Sequence, residues 1–242
     1  MKIIAGCATD KGPVRAKNQD RIICNVARIE SGTMAVACIC DGVGSYEYSE
    51  IASEMVTEGI MLWFESILDR RLKGLTEQDL LEDFEATIRE LNELVYERKI
   101  REQISLGCTM SVLLIVNLNY YIFHVGDSRI YVLKDSFCQI THDEISVSEV
   151  DGVLKQRLTN CVGKDKTLWV NRLSGMVETG DVFMLGSDGL FKRLREEDIR
   201  ERLARLSHDY QARRQCREFI QIVESRGERD NISCAILKVK KT

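Results

Sequence analysis

The sequence lacks an excess of positive charge. Its 34 Lys and Arg residues are outnumbered by 38 Asp and Glu residues, and the formal net charge is −4. A dedicated DNA- or RNA-binding protein carries the opposite balance, because it must attract phosphates. With 44% hydrophobic residues, the chain also lacks the composition of a disordered protein. We therefore expect a folded protein with no nucleic-acid partner.

Long apolar runs are absent as well. The one uncharged stretch longer than eighteen residues, 103–126, is interrupted by the polar residues Asn117 and Asn119, so no transmembrane helix and no membrane partner are expected. The apolar segment 3–8 is too short for a signal peptide, and Asp10 and Lys11 follow it closely. Nine cysteines occur, but none forms a CxxC pair, which disfavours structural zinc. Their odd number and apolar contexts indicate reduced thiols in a cytoplasmic protein.

The apolar periodicity of the N-terminal half predicts strands followed by helices. Strands are expected at residues 2–9, 21–27 and 33–40, and the last of these is apolar on both faces. A helix capped by Ser45 or Ser49 should follow. A second helix should start after Thr76, with Asp79 three positions on, and end near Arg101.

From Thr109 onward, the apolar periodicity changes from that of helices to that of short strands. An antiparallel meander is predicted from four short runs, at 109–117, 120–125, 129–134 and 137–140. Further elements are two strands near 168–173 and 182–187, helices near 195–206 and 209–225, and a last strand at 231–239. This order does not alternate as a doubly wound sheet does. We predict a single α+β domain over residues 1–242, in which two stacked antiparallel sheets form a β-sandwich with helix pairs on its outer faces. Residues 144–166 are polar and irregular, so they are expected to form a mobile surface flap.

Asp41 marks the point where an apolar strand reaches the surface. Gly42 follows it, and a glycine lets the backbone carbonyl turn toward a ligand held by the carboxylate. Carboxylate and carbonyl oxygens suit hard divalent cations. An isolated Asp-Gly pair is also a common turn signal, so this position alone does not decide between a turn and a metal site.

Four more aspartates lie at strand ends or in turns, namely Asp20, Asp127, Asp188 and Asp230. Strand ends of a sandwich can meet at one edge, where the carboxylates would repel each other unless divalent cations bound between them. The alternative is that each aspartate caps a helix or forms a turn by itself.

Seven stretches resemble, in the same order, the motifs of the PP2C-type metal-dependent protein serine/threonine phosphatases, especially the short bacterial ones. They are VRAKNQD (14–20), DGVGSYEYSEIAS (41–53), GCTMSVLLI (107–115), HVGDSRIYVL (124–133), LTNCVG (158–163), GDVFMLGSDGL (180–190) and RDNISCAIL (229–237). The resemblance implies a cytoplasmic enzyme that hydrolyses phosphoserine and phosphothreonine in proteins with a metal-activated water. Its partners would be phosphorylated proteins, including a Ser/Thr kinase or the targets of that kinase.

The resemblance also implies a role for each site residue, with two Mn²⁺ or Mg²⁺ ions as cofactors. Asp41 would bridge both ions, the Gly42 carbonyl would bind one, and Asp188 and Asp230 would bind the other. Asp20 would act beside them, directly or through another ligand. Catalysis would then depend on Asp41, Asp188 and a phosphate-binding arginine. Asp127 matches a position that holds a third ion together with Asp188, and Arg15 matches the phosphate-binding arginine.

Two departures from the family pattern leave an alternative open. Gln19 stands where the family has an acidic residue, and it would offer a nearby metal only a neutral carbonyl oxygen. Lys192 stands where many members have an acid that helps to hold the third metal. These two residues favour a catalytically weak or silent relative that binds phosphoproteins as a scaffold or regulator. His124 is either a general acid or a strand histidine satisfied by hydrogen bonds.

Overall fold

The computed structural model describes residues 1–29, 32–69, 76–150 and 152–241. The first elements are β1 (Lys2–Asp10), β2 (Arg21–Ile29), β3 (Gly32–Cys40), α1 (Ser49–Asp69), α2 (Glu77–Glu102), β4 (Met110–Val116), β5 (Asn119–Val125), β6 (Arg129–Leu133) and β7 (Phe137–Gln139). They are followed by β8 (Ile145–Val150), β9 (Val153–Leu158), β10 (Asn171–Met176), β11 (Val182–Gly186), α3 (Asp188–Phe191), α4 (Glu196–Ala204), α5 (Asp209–Ser225) and β12 (Ile232–Lys240). No helix in these described ranges is both long and apolar enough to cross a membrane.

Two antiparallel sheets of five strands form the centre of the fold. The strand order is β1-β12-β11-β6-β7 in the first sheet and β10-β5-β4-β3-β2 in the second. A separate hairpin consists of β8 and β9. The predicted β-sandwich of the α+β class is therefore confirmed.

The side chains of β3 alternate between two apolar cores. Ala35, Ala37 and Ile39 belong to the core between the two sheets, whereas Val36 and Cys38 belong to the core under the helices. Because both faces of the strand are buried, its sequence is apolar at nearly every position, as predicted.

Helices cover both outer faces of the sandwich. The first pair, α1 and α2, buries its apolar stripe against the second sheet, with Phe64 and Phe84 fully enclosed. The other sheet is covered by α4 and α5, with Leu203 and Phe219 fully enclosed. The predicted capping box of α2 is present, since Thr76 and Asp79 bond reciprocally through side chain and backbone.

Three details differ from the sequence predictions. Residues 145–158 are not irregular, because β8 and β9 pair in register from Ile145 opposite Leu158 to the turn. The strand expected near 168–173 begins only at Asn171. Ser49 does not cap α1, because its hydroxyl donates to the carbonyls of Val43 and Tyr46 at 2.7 and 3.0 Å instead.

Candidate metal centre

The five predicted aspartates meet at one edge of the sandwich. A cleft of about 720 Å³ is lined by Asp41, Asp127, Asp188 and Asp230. The fifth, Asp20, is fully buried. Each lies where a strand begins or ends, so the antiparallel pairing of the sheets brings them together. Asp188 does not cap α3: Ser187 is the capping residue, and Asp188 begins the helix.

Asp41 is at the centre of this group. Burial raises the pKa of its carboxyl group well above the usual value, and repulsion from Asp20, Asp188, Asp127 and Asp230 raises it further. Asp41 is therefore surrounded by four like charges, which is the electrostatic signature of a cation site. The Asp41 amide donates a 3.0 Å hydrogen bond to Thr109 Oγ1, which fixes the backbone at this point.

Asp20 has one oxygen that is satisfied and one that is not. Oδ2 accepts hydrogen bonds from Ser187 and Ser233 at 2.8 and 2.7 Å. Oδ1 is buried and has no hydrogen-bond partner among the described residues. Burial raises the pKa of Asp20 to about 6 in spite of the two hydroxyl donors. An unpaired carboxylate oxygen beside Asp41 is consistent with a cation as its missing partner.

Gly42 occupies a position with no room for a side chain. A Cβ atom there would lie 2.6 Å from Ser49 Cβ and 2.8 Å from Gln19 Cβ. Its amide donates to the Gln19 carbonyl at 3.2 Å, so the backbone beside Asp41 runs tightly between α1 and the loop before β2. Only glycine allows the main chain to approach the cleft this closely.

Asp127 completes the cleft from the end of β5. Burial raises its pKa to about 6, and repulsion by Asp188 adds to the effect. The preceding Gly126 has φ +103°, and its amide donates to Glu144 Oε2 at 2.7 Å. Glu144 also accepts from Asn160 and Asn171, so one carboxylate joins the Asp127 turn to the base of the β8–β9 hairpin.

Two cations of the chain lie among these carboxylates. Arg15 donates from Nε to Asp230 Oδ1 at 2.9 Å, and one of its terminal nitrogens lies 2.8 Å from the same oxygen. Burial alone would raise the pKa of Asp230, but the Arg15 guanidinium holds it below its usual value. Lys192 Nζ lies 2.6 Å from Asp188 Oδ2 and 3.6 Å from Asp230 Oδ2. Burial disfavours the charged lysine, yet Asp188 raises its pKa.

These ion pairs engage carboxylates that a metal ion would need as ligands. In the described parts of the chain, no three His, Cys, Asp or Glu side chains form a ready set of metal ligands. Asp230 is paired with Arg15, and Asp188 is paired with Lys192. The buried Oδ1 of Asp20 has no hydrogen-bond partner among the described residues, and four neighbouring aspartates repel Asp41. The residues present therefore fit hard divalent cations.

The structure also shows the hydrogen bonds of Gln19 and His124. Gln19 Nε2 donates to the Tyr46 carbonyl at 3.1 Å and to Glu50 Oε2 at 3.4 Å, so the side chain is held through its amide nitrogen by the loop before α1 and by α1 itself. His124 is 1% exposed, with Nδ1 at 2.9 Å from Ser111 Oγ and Nε2 at 3.0 Å from the His142 carbonyl. It is a satisfied strand histidine outside the cleft lining, and the general-acid hypothesis was wrong.

Several supporting residues were not singled out from the sequence. Asn231 accepts from the Gln19 amide at 2.9 Å and donates to the Lys11 and Lys17 carbonyls at 2.8 and 3.0 Å. It thereby ties the loop that carries Arg15 to the start of β12. Thr109, Ser187 and Ser233 hold the aspartates through their hydroxyls. All of these residues lie inside the quoted motifs, which was the only available signal for them.

The β8–β9 hairpin forms one wall of the cleft. Ile145, Gln156, Arg157 and Leu158 line it opposite Asp41 and Arg15. Further from the hairpin base, Val147 and Leu154 are 57% and 71% exposed. The segment predicted as a flap thus lies beside the acidic cleft, and its outer half presents apolar side chains to solvent.

Comparisons with known proteins agree with this geometry. The sequence profile of the family described as Protein phosphatase 2C matches residues 14–233. Protein phosphatase PhpP of Streptococcus pneumoniae (serotype 2, strain D39) is 26% identical over 246 residues, covering 96% of this chain and 95% of PhpP. Serine/threonine phosphatase stp of Listeria innocua is also 26% identical, covering 95% of this chain and 93% of that protein.

Solved structures share the fold. A serine/threonine phosphatase of S. agalactiae superposes with a TM-score of 0.79 at 24% identity, covering 99% of this chain and 100% of that chain. The catalytic domain of serine threonine protein phosphatase PstP, solved in complex with 2 manganese ions, gives a TM-score of 0.76 at 22% identity. That comparison covers 99% of both chains.

Proposed function

Since this chain belongs to the protein phosphatase 2C family, we propose that it is a metal-dependent phosphatase that hydrolyses phosphoserine and phosphothreonine in proteins. The observation that carries the proposal is the position of Asp41, which four other aspartates repel in one cleft. Divalent cations bound between these carboxylates would relieve their mutual repulsion.

Two groups of oxygens would hold two Mn²⁺ or Mg²⁺ ions. Asp41 and the Gly42 carbonyl would hold one ion with support from Asp20, and Asp41, Asp188 and Asp230 would hold the other. The PstP domain was solved with 2 manganese ions, which supports the same number here. When bound, such ions supply an activated water as the nucleophile and neutralise charge on the phosphoryl group. Asp127 would support a third ion together with Asp188.

Arg15 would bind the phosphoryl group of the substrate. It lines the same cleft as Asp41 and lies beside Gly44. Its pairing with Asp230 uses Nε and one terminal nitrogen, and a guanidinium has a second terminal nitrogen to offer a phosphoryl oxygen. Arg15 would thus orient the phosphate while Asp230 fixes the direction of the guanidinium.

The cellular setting belongs to the same proposal. All nine cysteines have free thiols, as expected in the reducing environment of the cytoplasm. The substrates would be phosphoproteins, including a Ser/Thr kinase or the targets of that kinase. Both sheets contribute to one shared core, which supports residues 1–242 as one phosphatase domain. A silent scaffold is not favoured, because Arg15 and all five aspartates are kept at one edge.

The test is hydrolysis of a phosphothreonine peptide and of a small aryl phosphate by the purified protein. Both reactions should require Mn²⁺ or Mg²⁺ and stop when a chelator is added. Asp41→Asn should be inactive on both substrates, whereas Asp135→Asn, a change in an exposed turn, should match the wild type. A metal-bound protein that is properly folded but turns over neither substrate would favour the scaffold.

A further inference from the structure

Lys192 is placed to act on the metal centre itself. It follows the short helix α3 directly, and its amide donates to the Asp188 carbonyl at 3.1 Å, so the lysine and Asp188 lie on one side of the same turn. The ammonium group contacts Asp188 Oδ2 at 2.6 Å and lies 3.6 Å from Asp230 Oδ2. One side chain therefore bridges two aspartates that come from different strands.

No ammonium or guanidinium group of the described residues forms an ion pair with Asp20 or Asp41. Asp20 Oδ1 is unpaired within the described chain, and Asp41 is surrounded by like charges. A lysine ammonium is a compact charge with three donors, and it can satisfy two carboxylates at once. The half of the centre that contains Asp188 and Asp230 is thus already neutralised by the chain, and the half around Asp41 and Asp20 is not.

We propose that Lys192 is an internal competitor for the metal ion bound by Asp188 and Asp230. This inference rests on the proposed function, because it assumes that these aspartates bind a divalent ion. The ion at Asp41, Gly42 and Asp20 enters an uncompensated site and binds first. The ion at Asp188 and Asp230 must displace the ammonium group, so it binds second and more weakly.

Lys192 therefore sets the metal concentration at which the centre is complete. The side chain is 46% exposed, so the ammonium can leave the carboxylates without unfolding any part of the core. If it occupies them in about nine of ten metal-free molecules, the apparent affinity for the second ion falls about tenfold. The same ion pair holds Asp188 and Asp230 together when metal is absent.

The test compares Lys192→Gln, Lys192→Arg and a matched control in the full chain. The control is Lys134→Gln, because Lys134 also pairs with two acids, Asp181 at 3.0 Å and Glu178 at 3.8 Å, but does not line the cleft. Chelator-treated protein is titrated with MnCl₂ by calorimetry, and thermal unfolding is followed with chelator and with saturating Mn²⁺. Neither measurement depends on enzymatic activity.

We expect a two-step isotherm for the wild type, Lys134→Gln and Lys192→Arg. In Lys192→Gln the second step should tighten about tenfold, since its competitor is gone. Its metal-free unfolding temperature should fall below that of Lys134→Gln, while its gain on adding Mn²⁺ should be larger. An unchanged second step in Lys192→Gln, with folding intact, would overturn the inference.

The result separates this inference from the proposed function. If the wild type binds Mn²⁺ and dephosphorylates the peptide while Lys192→Gln binds Mn²⁺ no more tightly, only the role of Lys192 is wrong. If neither protein binds Mn²⁺, both the proposed metal centre and the proposed role of Lys192 are wrong. If Lys192→Gln binds a second ion and the wild type does not, Lys192 competes so strongly that it excludes the second ion.

Discussion

Ser187 and Asp20 are 167 residues apart in the chain, yet the serine hydroxyl donates a 2.8 Å hydrogen bond to Asp20 Oδ2. Ser233 donates to the same oxygen at 2.7 Å, and the Ser233 amide donates to Ser187 Oγ at 3.0 Å. Ser233 lies in β12 and Ser187 directly follows β11, both strands of the first sheet, whereas Asp20 leads into β2 of the second. The buried carboxylate therefore joins the two sheets directly beneath the metal cleft.

Ser187→Ala should weaken this junction. Loss of one donor to a buried carboxylate is expected to lower the free energy of unfolding by about 1–3 kcal/mol. The measurement is urea unfolding at neutral pH. Ser146→Ala is the control, because Ser146 lies on the exposed hairpin and its only described side-chain bond is a long one of 3.4 Å to the Arg157 carbonyl. Equal stability of the two variants would show that Ser233 alone supports Asp20.

Asp41→Asn should separate catalysis from stability. Removing the anionic group at the centre of the metal site is expected to reduce turnover at least about a hundredfold. In chelator the same variant should unfold at an equal or higher temperature than the wild type, because four aspartates no longer face a fifth negative charge. The two measurements are initial rates with Mn²⁺ and a thermal scan with chelator. A variant that is inactive and also less stable without metal would indicate a structural role.

Much of this architecture was predictable because its signals are local. Buried strands such as β3 are apolar throughout, and α2 begins with Thr76 and Asp79 in a recognisable capping box. The five aspartates could be proposed as one site because each stands next to a strand end. The order of the motifs that contain them also matches one family, and the fold and the ligand residues implied by that family agree with those predicted from the residues themselves.

Local sequence signals could not predict the β8–β9 hairpin or the ion pairs within the acidic cleft. Glu149 and Gln156 share one face of the hairpin with Ile145, Val147 and Leu154, so the sequence has no continuous apolar face to indicate a strand. The pairing of Lys192 with Asp188 and Asp230 depends on where β11 and β12 place their ends. The sequence shows that a lysine replaces the family's acid at position 192, but only the tertiary structure shows which carboxylates its charge contacts.

His124 predicts a pH dependence of stability. Burial lowers its pKa from the ordinary value of 6.5, so the unfolded chain takes up a proton first as the pH falls. The contribution of the neutral histidine is thus complete above pH 6.5 and is lost as the pH drops below it. Mn²⁺-loaded wild type should lose more unfolding free energy between pH 7 and pH 5.5 than His124→Gln does. His208→Gln, at an exposed position, controls for the removal of a histidine.

The opposite result is informative for His124. A steeper loss in His124→Gln than in the wild type would mean that the ring is charged in the folded state. The Nε2 bond to the His142 carbonyl and the Nδ1 contact with Ser111 would then both be donated by the ring, and the lowered pKa would be wrong.

The β8–β9 hairpin should affect the choice of substrate more than the chemistry. Residues 149–154 can be replaced by Asn-Gly, because Ser148 and Lys155 are paired directly and stand at the same phase of the ladder as Val150 and Val153, so a two-residue turn can close it there. This removes the exposed Leu154 and leaves the Glu144 bonds at the base intact. We expect turnover of a phosphothreonine peptide to change, while aryl phosphate hydrolysis stays within about twofold of the wild type. Equal losses on both substrates would make the hairpin part of the catalytic scaffold.

Gln19→Glu tests whether the side chain at position 19 faces a metal ion or is hydrogen-bonded to Tyr46 and Glu50. A glutamate there would restore the acidic residue of the family pattern, and a side chain facing a metal should then lower the Mn²⁺ concentration for half-maximal activity. In the structure, however, the Gln19 amide donates to the Tyr46 carbonyl and to Glu50 Oε2. A carboxylate cannot donate, and it would lie next to another acid.

We therefore expect Gln19→Glu to lower the free energy of unfolding by about 1 kcal/mol, the net value of a typical hydrogen bond, without tightening Mn²⁺ binding beyond its effect on charge. Gln156→Glu is the matched control, because it adds the same charge to the cleft wall from the hairpin, away from Glu50. Urea unfolding and MnCl₂ titrations of both variants are the measurements. A Mn²⁺ affinity that rises clearly more in Gln19→Glu than in Gln156→Glu would show that residue 19 turns toward a metal, against the hydrogen bonds seen here.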